Sequence, residues 1–380
     1  MYAKKLRLFS FRNIPYADIE LSEGINFFLG DNAQGKTNAL EAIYLFARGK
    51  SFRGARDSEM AAFGSDGFSA ELTFEKSDRE ETLFYGWSKK ERIRKRNGIP
   101  LEKQSELLGH FRAVLFSPDH LQMVKGSPSE RRRFLDIAIS QCYPVYLGLY
   151  AYYGKILENR NALLKDMQKR VKSDTELLSV YSEKLAHAAA EIYLYRRRYV
   201  AALHAHAESI MKELSEGKEQ MALSYQSDIG FLSDVHEDSC ADPAAIPSPD
   251  VAESAYASLL SGNTEREIMA GTTLYGVHRD ELQISLCGIN ARDYGSQGQQ
   301  RSAVLSLKMA EGQLSKEICG ENPVYLFDDV LSELDEGRRG FLLSGMKGCQ
   351  FIVTGCERSV LGAHADHVRF ISVKNGTFEG

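Results

Sequence analysis

The segment Gly30-Asp31-Asn32-Ala33-Gln34-Gly35-Lys36-Thr37 decides the fold class of this chain. It matches the pattern G-x-x-x-x-G-K-[ST] in full. The apolar run Ile25–Leu29 before it predicts a short buried strand, and the run Thr37–Ala47 after it carries apolar residues at helical spacing. A glycine-bearing loop between a strand and a helix is typical of a phosphate loop, so the segment predicts an α/β fold.

Each residue type in this segment has a physical role in binding phosphate. The glycines let backbone N–H groups curve around phosphate oxygens, and the following helix directs its positive end at them. Lys36 is expected to neutralise charge on the outer phosphates, and the Thr37 hydroxyl can bind Mg²⁺. We therefore expect all eight residues to bind a nucleotide, with Lys36 also taking part in catalysis.

A second apolar strand ends in two carboxylates. Val324–Phe327 is followed directly by Asp328 and Asp329. We expect Asp328 to hold Mg²⁺ together with Thr37, and Asp329 to orient or deprotonate the attacking water. The alternative is a helix N-cap beside a solvated neighbour.

Bulk composition excludes several classes of protein. The 380 residues are 43% hydrophobic and 26% charged, with a formal net charge of −5, which is ordinary for a globular protein and excludes a polyelectrolyte that coats nucleic acid. The six cysteines show no paired spacing of a zinc site or a disulfide framework. The apolar run Pro144–Tyr153 is about half the roughly 20 residues of a membrane-spanning helix. We expect a cytoplasmic protein with no membrane partner.

Pattern changes along the chain predict three segments. Residues 1–125 contain short apolar runs and a stretch in which apolar and polar residues alternate, both typical of strands. They predict the N-terminal part of the α/β unit together with a β-rich subdomain. Residues 126–270 are rich in helix formers and predict an inserted, mainly helical arm lobe, which includes a Pro-, Asp- and Ser-rich linker at Asp234–Ala252. Residues 271–380 return to α/β patterning.

A polar glycine loop opens a helix-like segment late in the chain. Its residues are Ser296, Gln297, Gly298 and Gln299. The order of phosphate loop, this loop and acidic strand end resembles the ABC-type ATPases, and the loop is similar to their signature. Ser332–Asp335 resembles their D-loop. The alternative for Ser296–Gln299 is an N-capped turn.

Further motifs narrow the resemblance to one family. The motifs that carry this resemblance are Phe11–Asn13, Gly30–Asn32 in the phosphate loop, Ser127–Asp136 and Gly276–Asp280. With them the chain closely resembles the RecF family of bacterial DNA repair proteins, and the likeness covers essentially the whole chain. The resemblance implies an SMC-like ABC-type ATPase head with a helical arm, and ATP and Mg²⁺ as cofactors. It also implies ATP-dependent homodimerisation, binding of duplex DNA at gaps or junctions and stalled forks, and partnership with RecR and RecO. In such a dimer, Ser296–Gln299 would contact the nucleotide held by the other subunit.

The resemblance implies a weak, DNA-dependent ATPase activity, and two departures from the wider ABC pattern predict that hydrolysis is slow. Asp329 stands where a longer Glu is usual, so its carboxylate is harder to bring against the water. After the apolar run Phe351–Val353, Thr354–Cys356 occupies the place of a switch histidine in many relatives. Both departures suit a timed clamp better than a motor.

Other charged segments leave alternatives open. Six basic residues could contact DNA phosphates or simply form a solvated surface: Lys89, Lys90, Arg92, Arg94, Lys95 and Arg96. Arg131–Arg133 could form ion pairs or sense nucleotide, and His278–Asp280 could organise the nucleotide dimer or a structural network. Arg196–Arg198, flanked by tyrosines, could bind DNA or a partner or pack inside the arm.

Two functions of different classes fit these observations. The first is a DNA-binding, ATP-dependent dimer of recombinational repair and replication restart. The second is an ABC-type ATPase that regulates a protein assembly without direct DNA binding.

Overall fold

The computed structural model describes residues 1–170, 174–229, 246–345, 348–361 and 368–380. Its contacts divide the chain into two compact units. The first unit joins Met1–His120 to Glu311–Gly380, and the second is Leu121–Ala310.

The strands and helices of the described residues are numbered along the chain. The strands are β1 (Tyr2–Phe11), β2 (Ile14–Glu20), β3 (Ile25–Leu29), β4 (Gly67–Lys76), β5 (Arg79–Ser88), β6 (Arg92–Arg96), β7 (Ile99–Pro100), β8 (Ala113–Phe116), β9 (Met221–Gln226), β10 (Glu281–Leu286), β11 (Ile289–Asn290), β12 (Val324–Phe327), β13 (Phe351–Gly355), β14 (Val368–Lys374) and β15 (Thr377–Glu379). The helices are α1 (Lys36–Arg48), α2 (Asp57–Met60), α3 (Gln122–Lys125), α4 (Pro128–Cys142), α5 (Pro144–Gln168), α6 (Thr175–Leu214), α7 (Pro249–Gly262), α8 (Thr264–Ala270), α9 (Ala291–Tyr294), α10 (Gln297–Cys319) and α11 (Glu336–Gly345).

Two six-stranded sheets build the first unit. One has the order β15-β14-β3-β13-β12-β8 and is parallel except for the last hairpin, β14–β15. The other, β2-β1-β4-β5-β6-β7, is antiparallel throughout. The parallel strands β12 and β13 are buried along their whole length, as their continuous apolar sequences predict. The carboxyl ends of β3 and β12 therefore bring the phosphate loop and the acid pair to one edge.

Long helices dominate the second unit. α5 and α6 contain 25 and 40 residues, and a small antiparallel sheet, β11-β10-β9, completes the unit. Two arginines are fully buried among the helices: Arg160 is paired with Glu267 at 2.6 Å, and Arg196 with Asp136 at 2.8 Å. A buried charge is tolerated only when it is paired and hydrogen-bonded, so these contacts fix how the helices pack.

The α/β class with an inserted, mainly helical lobe is confirmed, but the contacts divide the chain elsewhere than at residues 125 and 270. The segment 271–310 belongs to the helical unit, because β10 pairs along its length with β9. Part of the predicted linker Asp234–Ala252 lies outside the described residues, and its last residues begin α7 at Pro249. Within the residues that the structure describes, every helix is too short or too polar to cross a membrane.

Candidate phosphate-binding site

The phosphate loop connects β3 to α1 as predicted. Ala33 and Gly35 have φ of 63° and 115°, so the backbone passes through left-handed conformations before the helix begins. The Lys36 side chain is buried, and its Nζ donates to the Gly30 carbonyl at 2.5 Å and to the Asp31 carbonyl at 3.2 Å. The ammonium group is thus held under the loop by carbonyl oxygens, which phosphate oxygens could replace.

A cavity of about 880 Å³ opens above this loop. Its walls come from three parts of the first unit: the end of β1, the phosphate loop with the start of α1, and the segment 58–65. Asp329 also lines it, as does Phe63, whose side chain is fully exposed. The volume suits a nucleotide, since small-molecule sites commonly measure about 300–1,000 Å³.

The acid pair lies beside the loop. Thr37 Oγ1 donates to Asp328 Oδ1 at 2.7 Å, although the two residues are 291 positions apart in the sequence. Burial raises the pKa of Asp328, and the neighbouring Asp329 raises it further, whereas the hydrogen bond from Thr37 acts in the opposite direction. The structure therefore brings together Thr37, Asp328 and Asp329 as the sequence predicted.

Thr354 joins both carboxylates, a role that the sequence analysis did not assign to it. The buried Thr354 hydroxyl accepts the backbone N–H of Asp329 at 2.9 Å and lies 3.2 Å from Asp328 Oδ1. Asp329 has φ of 54°, a left-handed conformation that is uncommon outside glycine. The hydroxyl helps to hold this strained backbone. The sequence could have indicated this contact only through the two apolar runs that predict β12 and β13, because the carboxyl ends of neighbouring parallel strands lie close together.

The oxygen atoms of Thr37 and Asp328 fit Mg²⁺. Both are hard donors, which Mg²⁺ prefers, and Mg²⁺ at such sites is usually bound through one or two protein groups plus substrate phosphates. In the part of the chain that the structure describes, there is no cluster of three or more His, Cys, Asp or Glu that could hold a metal alone. Nucleotide phosphates would have to complete the coordination shell.

Two arginines missed by the sequence analysis also face the cavity. Arg12 forms a double hydrogen bond to the fully buried Glu41, with N–O distances of 2.9 and 2.8 Å. Arg53 lies 3.9 Å from the same carboxylate and donates to Asn38 Oδ1 at 3.0 Å. Glu41 therefore positions two cations at the cavity wall, where anionic phosphates would be attracted. Arg12 was noted only as part of a motif, and its role depends on the buried partner.

The proposed signature loop lies in the second unit. Ser296 Oγ accepts the N–H of Gln299 at 3.2 Å, and Gln299 Oε1 accepts the N–H of Ser296 at 2.8 Å. This reciprocal pair is a capping box for α10. Within one chain, Ser296–Gln299 therefore forms the N-capped turn that was the alternative to a signature loop. Ser296 and Gln297 are nevertheless exposed and accessible to another molecule.

The basic segment lies on and beside β6, next to the two-residue edge strand β7 of the antiparallel sheet. Acidic partners pair with three of its members: Lys89 with Asp66 at 2.7 Å, Arg92 with Asp57, and Arg96 with Glu81 at 2.9 Å. Two others lie over aromatic rings: Arg94 over Tyr85, and Lys95 over Phe84. Lys90 is exposed. These partners reduce the charge that the segment could offer to DNA.

Three of the remaining charged candidates have polar partners within the second unit. Arg131 forms a double hydrogen bond with Glu281, at 2.6 and 2.7 Å. Arg196 is buried in its pair with Asp136, and Asp280 accepts a hydrogen bond from the Tyr225 hydroxyl.

Comparison with known proteins gives one consistent family. The family described as RecF/RecN/SMC N terminal domain matches residues 2–379. The DNA replication and repair protein RecF of Geobacillus kaustophilus (strain HTA426) is 38% identical over 355 residues, which cover 91% of this chain and 90% of that protein. The protein of the same name from Clostridium novyi (strain NT) is 36% identical over 380 residues, covering 99% of each.

Solved structures agree with the sequence relatives. A structure of the recombination mediator protein RecF-ATPrS in the RecFOR pathway aligns with a TM-score of 0.89 and 32% identity, covering 100% of this chain and 97% of that one. A RecF-ATP structure from the same pathway gives a TM-score of 0.88, also at 32% identity.

Proposed function

Because this chain belongs to the RecF family, we propose that it is an ATP-dependent DNA-binding protein of DNA replication and repair in the cytoplasm. It dimerises on binding ATP with Mg²⁺, binds duplex DNA at gaps or single-strand/double-strand junctions, and acts with RecO and RecR to assist recombinase loading. The contact between Thr37 and Asp328 carries this proposal, because it brings two oxygen donors of the kind that Mg²⁺ prefers beside a loop with the phosphate-loop sequence.

Nucleotide binding follows from the cavity walls. The triphosphate lies along Gly30–Thr37, where Lys36 exchanges its carbonyl partners for phosphate oxygens. Arg12 and Arg53 add positive charge, and Phe63 offers a ring for the base to stack on. Mg²⁺, when bound through Thr37 and Asp328, supplies charge neutralisation for the phosphates.

Hydrolysis is slow because the base is poorly placed. Asp329 acts on the attacking water, but its side chain is short and its backbone is held by Thr354. The hydrogen bond from the Asp329 N–H to Thr354 and the left-handed backbone of Asp329 limit how far its carboxylate can move towards a water. Slow hydrolysis gives the ATP-bound state a long lifetime, as a timed clamp requires.

Dimerisation places the capped loop Ser296–Gln299 against the nucleotide of the partner subunit. The exposure of Ser296 and Gln297 supports this role, and the start of α10 adds the positive end of a helix dipole. DNA then contacts the dimer through local basic groups, since the whole chain carries a net charge of −5. Lys90, in the exposed turn before β6, is the member of the basic segment best placed for this contact, because Lys89 is already paired with Asp66.

Titration of labelled junction DNA separates this function from regulation of a protein assembly. Affinity is measured by anisotropy at several salt concentrations, with and without ATP and Mg²⁺. We expect ATP to strengthen DNA binding and added salt to weaken it steeply. Lys36→Met should abolish the effect of ATP, because it removes the phosphate-loop cation, whereas Lys165→Met on the exposed side of α5 should behave as native. Absence of DNA binding under all conditions would favour the assembly regulator.

A further inference from the structure

The described chain ends in a tight hairpin whose turn lies against the phosphate loop. β14 and β15 pair up to Lys374 and Thr377, which leaves two residues between them. These residues, Asn375 and Gly376, have φ of 50° and 76°. Two successive left-handed residues with the sequence Asn-Gly are typical of a type I′ hairpin turn. Asn375–Gly376 is called the terminal turn below.

Both residues of the terminal turn donate their backbone N–H to Gln34. The N–H of Gly376 donates to the Gln34 carbonyl at 2.9 Å, and the N–H of Asn375 donates to Gln34 Oε1 at 2.6 Å. One residue of the phosphate loop is thus held through its backbone and its side chain together. The bond from Asn375 joins positions 341 residues apart.

Asn13 holds the neighbouring peptide of the same loop. Its Nδ2 donates to the Ala33 carbonyl at 3.1 Å, while its Oδ1 accepts from Asn38 Nδ2 at 2.8 Å. Because a trans peptide is planar, a fixed carbonyl fixes the opposite direction of the next N–H. The anchored carbonyls of Ala33 and Gln34 therefore fix the N–H groups of Gln34 and Gly35, two residues that line the cavity.

The terminal turn also packs tightly against Asn13. A Cβ atom added to Gly376 would lie 2.2 Å from the Asn13 carbonyl oxygen, far inside van der Waals contact. Any side chain at position 376 must displace the turn from Asn13, from Gln34 or from both. Glycine is thus required here by space as well as by φ.

We propose that the terminal turn is a positioning element of the phosphate loop, which sets the directions of its phosphate-binding N–H groups from outside. The identity of the ligand, ATP, rests on the proposed function. A loop that is already ordered loses less conformational freedom when it binds phosphate, so the terminal turn should strengthen ATP binding. Its effect acts through Gln34 and not through contact with the nucleotide.

Hydrogen exchange without nucleotide tests the coupling directly. Gly376→Ala should speed exchange of the amides in residues 31–37. Gly320→Ala is the matched control, because Gly320 has φ of 78° but open space where a Cβ atom would lie. This variant introduces similar backbone strain without a steric clash. Unchanged exchange of residues 31–37 in folded Gly376→Ala would overturn the proposal.

ATP kinetics provide a readout that general destabilisation would not reproduce. Loss of the two hydrogen bonds should raise the KM for ATP about five- to tenfold in Gly376→Ala and leave kcat within about twofold. A normal KM in Gly376→Ala would contradict the positioning role. If the native chain binds no ATP, the proposed function fails, while the exchange experiment still decides whether the turn orders the loop.

Gln34→Ala serves if Gly376→Ala does not fold. It deletes the side-chain acceptor of Asn375 without adding strain. Faster exchange at the terminal turn, together with a raised KM for ATP, is then expected. Native exchange at the turn or a native KM would each count against the proposal.

Discussion

Two hydroxyl groups, on Thr37 and Thr354, position the acid pair at the end of β12. Thr37 and Thr354 both lie within hydrogen-bond distance of Asp328 Oδ1, at 2.7 and 3.2 Å. The roles of Thr37 and Asp328 could be predicted, because both belong to sequence patterns with a known chemical purpose. Thr354 and Glu41 could not, since a lone Thr in a strand and a Glu in a helix are ordinary residues until their buried partners are known.

Asp329→Asn tests the role of the second carboxylate. The amide cannot take a proton from water, so hydrolysis should fall by about 10²–10⁴. ATP binding should survive because Asp328 and Thr37 are unchanged. The ATP complex on duplex DNA should therefore dissociate more slowly, which a DNA chase experiment measures. Equal dissociation rates despite impaired hydrolysis would mean that hydrolysis does not time release.

A half-buried histidine and a buried aspartate in the helical unit should give opposite pH dependences. Burial lowers the pKa of His278 to about 4 and raises that of Asp280 to about 6. Below its ordinary pKa of about 6.5, His278 takes up a proton more readily in the unfolded chain, so acid lowers stability through this residue. Asp280 takes up a proton more readily in the folded chain, so acid raises stability as the pH falls from about 6 to 4.

Single variants should separate these contributions. Relative to native protein, His278→Gln should gain stability as the pH falls from 6.5 towards 4.5, and Asp280→Asn should lose it, each on the order of 2 kcal/mol. Urea unfolding across this range measures both. If the stabilities of both variants follow the native pH curve at a constant offset, neither group titrates as described.

At the scale of elements, the strand–loop–helix order of the phosphate loop could be read directly from apolar spacing. The contacts of the basic segment could not be predicted in this way. Its residues in β6 face acidic and aromatic partners on β5 and α2, and the cross-strand register that creates these contacts is not visible in a charge run. The terminal turn is a similar case, because its Asn-Gly signal predicts a hairpin but not its contact with Gln34.

Ser296→Asp distinguishes a helix cap from a nucleotide-binding loop. Asp is as good an N-cap as Ser, so the stability of α10 should be unchanged. Its carboxylate would, however, repel the triphosphate of a partner subunit, and ATP hydrolysis should fall at least about tenfold. Ser296→Asn is the control, since it caps the helix without a charge. Native hydrolysis by Ser296→Asp would leave the loop with a capping role alone.

At the scale of the whole molecule, the sequence predicted an α/β unit made from both ends of the chain with a helical insertion between them. It did not predict that 271–310 joins the insertion. That assignment depends on the pairing of β9 with β10, across 54 residues between Gln226 and Glu281 that include a long connection. The alternation of apolar residues predicts that a segment forms a strand, but it does not indicate which distant strand it pairs with.

The mass of the protein in solution tests the nucleotide-dependent dimer most directly. Light scattering is measured with ATP and Mg²⁺, with ADP and Mg²⁺, and without nucleotide, at one protein concentration. We predict twice the mass of one chain with ATP and Mg²⁺, and the mass of one chain in the other two conditions. The same mass in all three conditions, with ATP shown to be bound, would contradict the account.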